Sequence, residues 1–163
     1  MATRRLVLLR HAKSDWYSGA ATDFDRPLNN RGRRDAPRVG RWLHLNALTP
    51  DVVCCSSALR TRQTLELVGT ELGLSMADLH YLGELYHASE GEITGIVEDY
   101  LPGDGTLMVV GHNPGMETTL LEYCPDLQVP ADGKFMPTAA VAVVEWPETG
   151  PPQLRHLVRP RDL

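Results

Sequence analysis

Leu6 to Leu9 is an unbroken apolar run with no alternation of polar and apolar positions. Such a run predicts a strand covered on both faces, as in a parallel sheet. The pattern returns in "DVVCCSS" from Asp51 and in "TLMVVG" from Thr106. Elsewhere the apolar residues fall at helical spacing. Ala36, Val39, Trp42, Leu43 and Leu45 do so within Arg31 to Asn46. Ala58, Leu65, Val68 and Leu72 do so in "SALRTRQTLELVGTELGL", with Gly73 as the expected stop. Glu90 to Tyr100, closed by Pro102-Gly103, predicts a third helix and Met116 to Tyr123 a fourth, while Leu79 to Leu82 is a short strand candidate. Residues 17 to 30, rich in Gly, Asp, Asn and Pro, predict a loop. The tail offers "AAVAVVEW" and "QLRHLVR" around Pro147 to Pro152, a closing pair of strands.

Strands alternating with helices predict an α/β fold: a three-layer α/β/α sandwich with a central, mostly parallel sheet, right-handed crossovers and an antiparallel edge near the C-terminus. The 163 residues suit a single domain, residues 1–163, with enough core to stand without metal or disulfide staples. No internal repeat, linker or low-complexity stretch interrupts it.

Charge narrows the function classes. A net charge of −5 argues against a nucleic-acid or membrane-surface partner. The basic residues are nonetheless uneven, with Arg26, Arg31, Arg33, Arg34, Arg38 and Arg41 close together. The last four read as a solvated helix face. The three cysteines, Cys54, Cys55 and Cys124, are odd in number and two are adjacent. That suits buried reduced thiols rather than a disulfide framework or a metal site. Without a signal-peptide core or a membrane-length apolar run, a cytoplasmic protein is expected, and a monomer.

Ligands of open α/β sheets bind beyond the carboxyl ends of the strands. After the first strand comes Arg10-His11. After the second come Ser56-Ser57, then Arg60 and Arg62. After the third comes Gly111-His112-Asn113-Pro114-Gly115. The topology therefore gathers two histidines and at least two arginines at one edge. Arginine forks fit phosphate oxygens bidentately, and helix starts after Ser57 and after His112 would add N–H donors. A neutral imidazole among them is a competent nucleophile, and neighbouring arginines would help keep it neutral. Each segment alone has a plain explanation: a polar strand edge, a capped helix start, a turn. Their convergence points to a site that handles phosphate. The remaining histidines, His44, His80, His87 and His156, read as structural or surface groups, and Trp16, Trp42 and Trp146 as core or pocket wall.

"LLRHAKS", "CSSALRTRQTLE" and "VVGHNPG" resemble, in order, the three motifs of the histidine phosphatase superfamily. The Arg-His-Ala-Lys-Ser form, "DFDRPLNNRGRRDA" and the short domain resemble its SixA-type phosphohistidine phosphatases, over nearly the whole chain. The resemblance implies a phosphoglycerate mutase-like fold and a phosphatase of phosphohistidine on a protein, working through a phosphohistidine on His11. It implies phosphoryl contacts from Arg10, Arg60 and His112, and no metal or other cofactor. Lys13 and Ser14, from the same first motif, are further candidates for substrate contact, Lys13 being equally a rim charge. Larger relatives take a proton donor from the interval between the second and third motifs, where Glu84 is the candidate, its alternative being a solvated loop charge. Asp25 and Asp35 would pair with Arg26 and Arg31 to pin the loop beside the pocket. Ala12, Lys13 and Tyr17 depart from the mutase pattern, which weakens a mutase reading. Three other functions stay open: hydrolysis of a small phosphorylated metabolite or nucleotide, non-catalytic binding of a phosphorylated ligand, and storage of phosphate on His11 in a relay.

Overall fold

The computed structural model describes residues 2–74 and 78–163. Ten main elements follow in order: β1 (Arg4–Arg10), α1 (Asn30–Leu45), β2 (Val52–Ser56), α2 (Leu59–Leu72), β3 (Asp78–Leu82), α3 (Glu90–Tyr100), β4 (Gly105–Gly111), α4 (Gly115–Tyr123), β5 (Val141–Trp146) and β6 (Gln153–Val158). The sheet order is β3-β2-β4-β1-β5-β6. The β3-β2, β2-β4 and β4-β1 pairs are parallel, and β5 joins β1 antiparallel, as β6 joins β5. The antiparallel edge thus lies where the tail predicts it.

The apolar runs are explained by burial on both faces. Along β1, Leu6 and Leu8 pack with Ile93, Val97, Met116 and Leu120 of α3 and α4. Val7 and Leu9 pack on the other face with Val39 and Leu43 of α1 and Leu65 and Val68 of α2. Alternate side chains of one strand feed two cores, as strand geometry requires. All three cysteines are free and buried, and burial holds the Cys54 thiol up at about 12, so it is an inert packing group.

Local chemistry sets the helix ends. Asn29 Oδ1 accepts from the N–H of Gly32 at 2.9 Å to cap α1. Ser89 and Glu92 form a reciprocal capping box on α3. Gly73 ends α2 in the left-handed conformation, φ 67°. The loop after β1 is more ordered than its composition suggests. Asn29 N–H donates to the Lys13 carbonyl at 3.0 Å, Asp15 N–H to that of Pro27 at 2.8 Å, and Asp23–Asp25 forms one 3-10 turn. A Cβ on Gly32 would run into the Lys13 carbonyl, so glycine is what lets α1 lie against the end of β1.

Helices α1 and α2 cross at Gly40, where a Cβ would stand 2.7 Å from the Val68 carbonyl. Gly95 in α3 has open space around it. Gly40→Ala is therefore expected to destabilise the protein by about 1–3 kcal/mol through overpacking. Gly95→Ala is expected to stabilise it by roughly 0.5–1 kcal/mol through helix propensity. Denaturant melts of the two variants check the contrast, and equal effects would contradict the close crossing.

Candidate active site

Three chain segments meet because two strands end in register. Arg10 pairs with Gly111 across β1 and β4, so His11 and His112 leave the sheet side by side. The His11 N–H donates to the Gly111 carbonyl at 3.1 Å and the Ala139 N–H to the His11 carbonyl at 3.0 Å, which clamps His11 from the segments on both sides. The two rings lie 5.3 Å apart, centroid to centroid. The third segment is tied in through Thr64, whose Oγ1 accepts from Ala12 N–H at 2.9 Å and donates to the Arg60 carbonyl at 2.7 Å. They meet in a cavity of about 360 Å³, lined in part by Arg10, His11, Arg60 and His112. A larger groove of about 890 Å³ along α2 and β3, with Leu65, Leu74, Leu79 and Tyr81 on its walls, gathers no such chemistry.

His11 is 6% exposed. Its Nδ1 lies 2.8 Å from the Ala12 carbonyl, which can only accept, so Nδ1 carries the proton and the lone pair is on Nε2. Burial, then His112, Arg10 and Arg60, push its pKa down to about 3, against the opposing pull of the Ala12 bond. His112 is likewise pushed down to about 3, by burial, then Arg60 and His87. Its Nε2 sits 2.8 Å from Ser56 Oγ, and that oxygen accepts from the Ala58 N–H at 3.3 Å, which leaves the Ser56 hydroxyl proton free to point at Nε2. If Ser56 gives its own proton to Nε2, Nδ1 of His112 is an N–H donor. That atom has no partner within the protein, and neither has Nε of Arg10 or Nε of Arg60, all three buried. Buried donors without acceptors are costly, and the three residues that carry these atoms line one cavity. Two guanidiniums and two histidine rings on one wall suit an anion with several acceptor oxygens.

The other candidates separate. Lys13 and Ser14 both line the cavity; Ser14 is buried and accepts a bond from Arg26 Nη1. Glu84 does not line it: the side chain stands in an exposed 3-10 turn, Gly83–Leu85, outside the cavity. From that stretch the structure brings in His87 instead, a residue that sequence alone placed with the surface histidines. His87 has a left-handed backbone, φ 59°, and its ring lies 3.9 Å from that of Tyr86. Arg26 also enters the cavity, stacked 3.6 Å over Trp16, and it pairs with Asp23 at 2.7 Å rather than with Asp25. Asp25 instead accepts from Thr22, and Asp35 takes Arg31 and Arg38. The Asp23-Arg26 pairing was legible only as far as the loop pattern that contains it. Among the described residues no cluster of His, Cys, Asp and Glu has the geometry to hold a metal ion.

The protonation state of His11 is open to measurement. Because its pKa is lowered, the ring is expected to stay neutral, with the proton on Nδ1, from pH 8 down to roughly pH 4, whereas an ordinary histidine is mostly charged by then. Nitrogen NMR of labelled protein reads both properties, and a His11 that titrates near 6.5 would contradict the buried-nucleophile geometry.

Known proteins resemble this chain in sequence and fold. The sequence model of the histidine phosphatase superfamily (branch 1) matches residues 6–101, more than half the chain. An uncharacterized chloroplastic protein of Arabidopsis thaliana is 36% identical over 123 residues, 71% of this chain and 56% of its own length. The chain thus spans little more than half of that relative. Phosphohistidine phosphatase SixA of Escherichia coli is 30% identical over 151 residues, 90% of this chain and 88% of that protein. The crystal structure of a putative phosphohistidine phosphatase SixA from Agrobacterium tumefaciens superposes with a TM-score of 0.85 at 29% identity, covering 96% of this chain and 97% of that one. The fold is the phosphoglycerate mutase-like one that the motifs imply. With its motif residues gathered around one cavity and likeness along nearly its full length, the chain belongs to branch 1 of the histidine phosphatase superfamily, in its SixA-type form.

Proposed function

We propose that this protein is a phosphatase that removes phosphate from phosphohistidine on another protein, through a phosphohistidine formed on its own His11. The observation that carries the reading is a neutral, buried imidazole, its Nδ1 proton anchored on the Ala12 carbonyl, set among arginine and histidine donors that have no acceptor within the protein. Nε2 of His11 attacks phosphorus, and the P–N bond to the substrate ring breaks with its electron pair going to that ring. Arg10, Arg60 and His112 hold the phosphoryl oxygens while their charge shifts. Water then cleaves the phosphohistidine, and phosphate leaves.

Two observations favour a nitrogen-linked, protein-borne substrate. Among the described residues Asp23 is the one carboxylate on the cavity wall, and Tyr86 and Arg26 hold its pKa well below the usual carboxylate range. It is a poor proton donor at neutral pH, which suits a leaving group that needs none. A phosphohistidine ring already protonated on its far nitrogen departs as neutral imidazole, whereas an alkoxide requires an acid. Trp16, 68% exposed, stands on the cavity wall beside the exposed Tyr17, and aromatic surface of this kind is common where proteins dock.

Phosphate release tests the proposal, with a phosphohistidine-bearing carrier protein set against a panel of small phosphomonoesters. Fast release from the protein is expected, with His11→Ala reducing it to background. Arg10→Ala is expected to lower kcat/KM about a hundredfold or more, the usual effect of removing one preorganised donor. Turnover of small esters alone would move the substrate to a phosphorylated metabolite. Release that survives in His11→Ala would overturn the covalent route.

A further inference from the structure

The arginine clamp already holds an anion of the chain's own. Asp23 Oδ2 accepts from Arg60 Nη2 at 3.1 Å and from Tyr86 Oη at 2.6 Å. Its Oδ1 accepts from Arg26 Nη2 at 2.7 Å, and its main-chain carbonyl from Arg60 Nη1 at 2.8 Å. His87 Nε2 is 4.0 Å from Oδ2. Both terminal nitrogens of Arg60, a residue only 3% exposed, are therefore engaged by one acidic residue within the phosphate cavity. The arrangement is unexpected for a site meant for a dianion, since a carboxylate next to the phosphoryl oxygens repels them.

We propose that Asp23 is a specificity residue that selects a phosphoryl group carried on a cationic nitrogen leaving group and disfavours ordinary phosphate esters. The inference rests on the function proposed above and supplies a reason for its substrate class. The exchange is one for one. A phosphoryl oxygen takes the N–H of Arg60 Nη2, and the lone pair released on Asp23 Oδ2 accepts the N–H on the far nitrogen of the substrate imidazolium. Tyr86 keeps its bond to Oδ2 and Arg26 keeps Oδ1, so the carboxylate stays in place and ionised. An ester brings two negative charges and no proton for the freed lone pair. A phosphoimidazolium brings both the phosphoryl group and a compensating cation with its donor. The transfer then balances without a co-reactant. The His11 Nε2–P bond forms, the substrate P–N bond breaks with its pair to the substrate ring, and the far proton stays on that ring. The substrate leaves as neutral imidazole, and the positive charge passes to the His11 ring.

The charge-removing variant Asp23→Asn tests this in the full chain, with Asp23→Glu as the charge-retaining companion. The probes are inorganic phosphate for binding by calorimetry, and phosphohistidine and p-nitrophenyl phosphate for turnover. Asp23→Asn is expected to bind phosphate about tenfold tighter, and to lower the kcat/KM ratio of phosphohistidine to ester about tenfold or more. That is the usual scale of one charge-assisted hydrogen bond gained or lost. Asp23→Glu is expected to keep phosphate binding weak and the ratio high. A residue that merely positions Arg60 gives the opposite sign: phosphate binds more weakly to Asp23→Asn and both substrates slow in parallel. That result, or an unchanged ratio in an enzyme that hydrolyses both substrates, overturns the role of Asp23 alone. A wild type that turns over the ester but not phosphohistidine overturns the proposed function, and the selectivity with it.

Discussion

The parallel pairing of β1 with β4 is the constraint on which the site depends. It brings Arg10 level with Gly111, so the two residues that follow, His11 and His112, emerge from neighbouring strands at one edge. The paired ladder fixes the register at which the two chain segments leave the sheet, and with it the approach of the two histidines. Everything else at the site is hung on that edge. Thr64 ties α2, and with it Arg60, to the backbone of Ala12, and glycine at position 32 lets α1 press against Lys13. A one-residue slip of β1 would turn its apolar residues toward the wrong cores and carry His11 away from His112.

Electrostatics divides the labour within the cavity. Three guanidiniums, those of Arg10, Arg26 and Arg60, surround rings that burial keeps neutral. On the proposed route, positive charge sits on groups that bind, and the lone pair sits on the group that attacks. One carboxylate, Asp23, stands among the cations at the exposed edge of the cavity, and it joins Arg26, Arg60 and Tyr86 into a single network. Such a network is rigid only when each member is satisfied, which links the 3-10 turn at Asp23 to the shape of the cavity.

Much of this was legible in the order of residues. The apolar runs and helical stripes matched the sheet and helices because most elements are amphipathic or doubly buried, and burial is what periodicity records. The strand ends that carry Arg10-His11, Arg60 and His112 followed from topology. Side-chain direction did not. Glu84 and His87 lie three residues apart in one segment, yet a 3-10 turn and a left-handed backbone at His87 leave the first outside the cavity and the second on its wall. Asp23 and Asp25 flank Phe24 in a loop where spacing carries no period. Only the fold shows that Arg26 takes Asp23 and leaves Asp25 to Thr22.

On the proposed route, phosphate passes through Nε2 of His11. Quenching the enzyme within its first turnover of a carrier protein bearing a radiolabelled phosphohistidine tests it most directly. The expected result is an acid-labile, base-stable label on His11, located by peptide mass spectrometry and lost as phosphate appears. Label on another residue, or phosphate released with none ever on the enzyme, would contradict it.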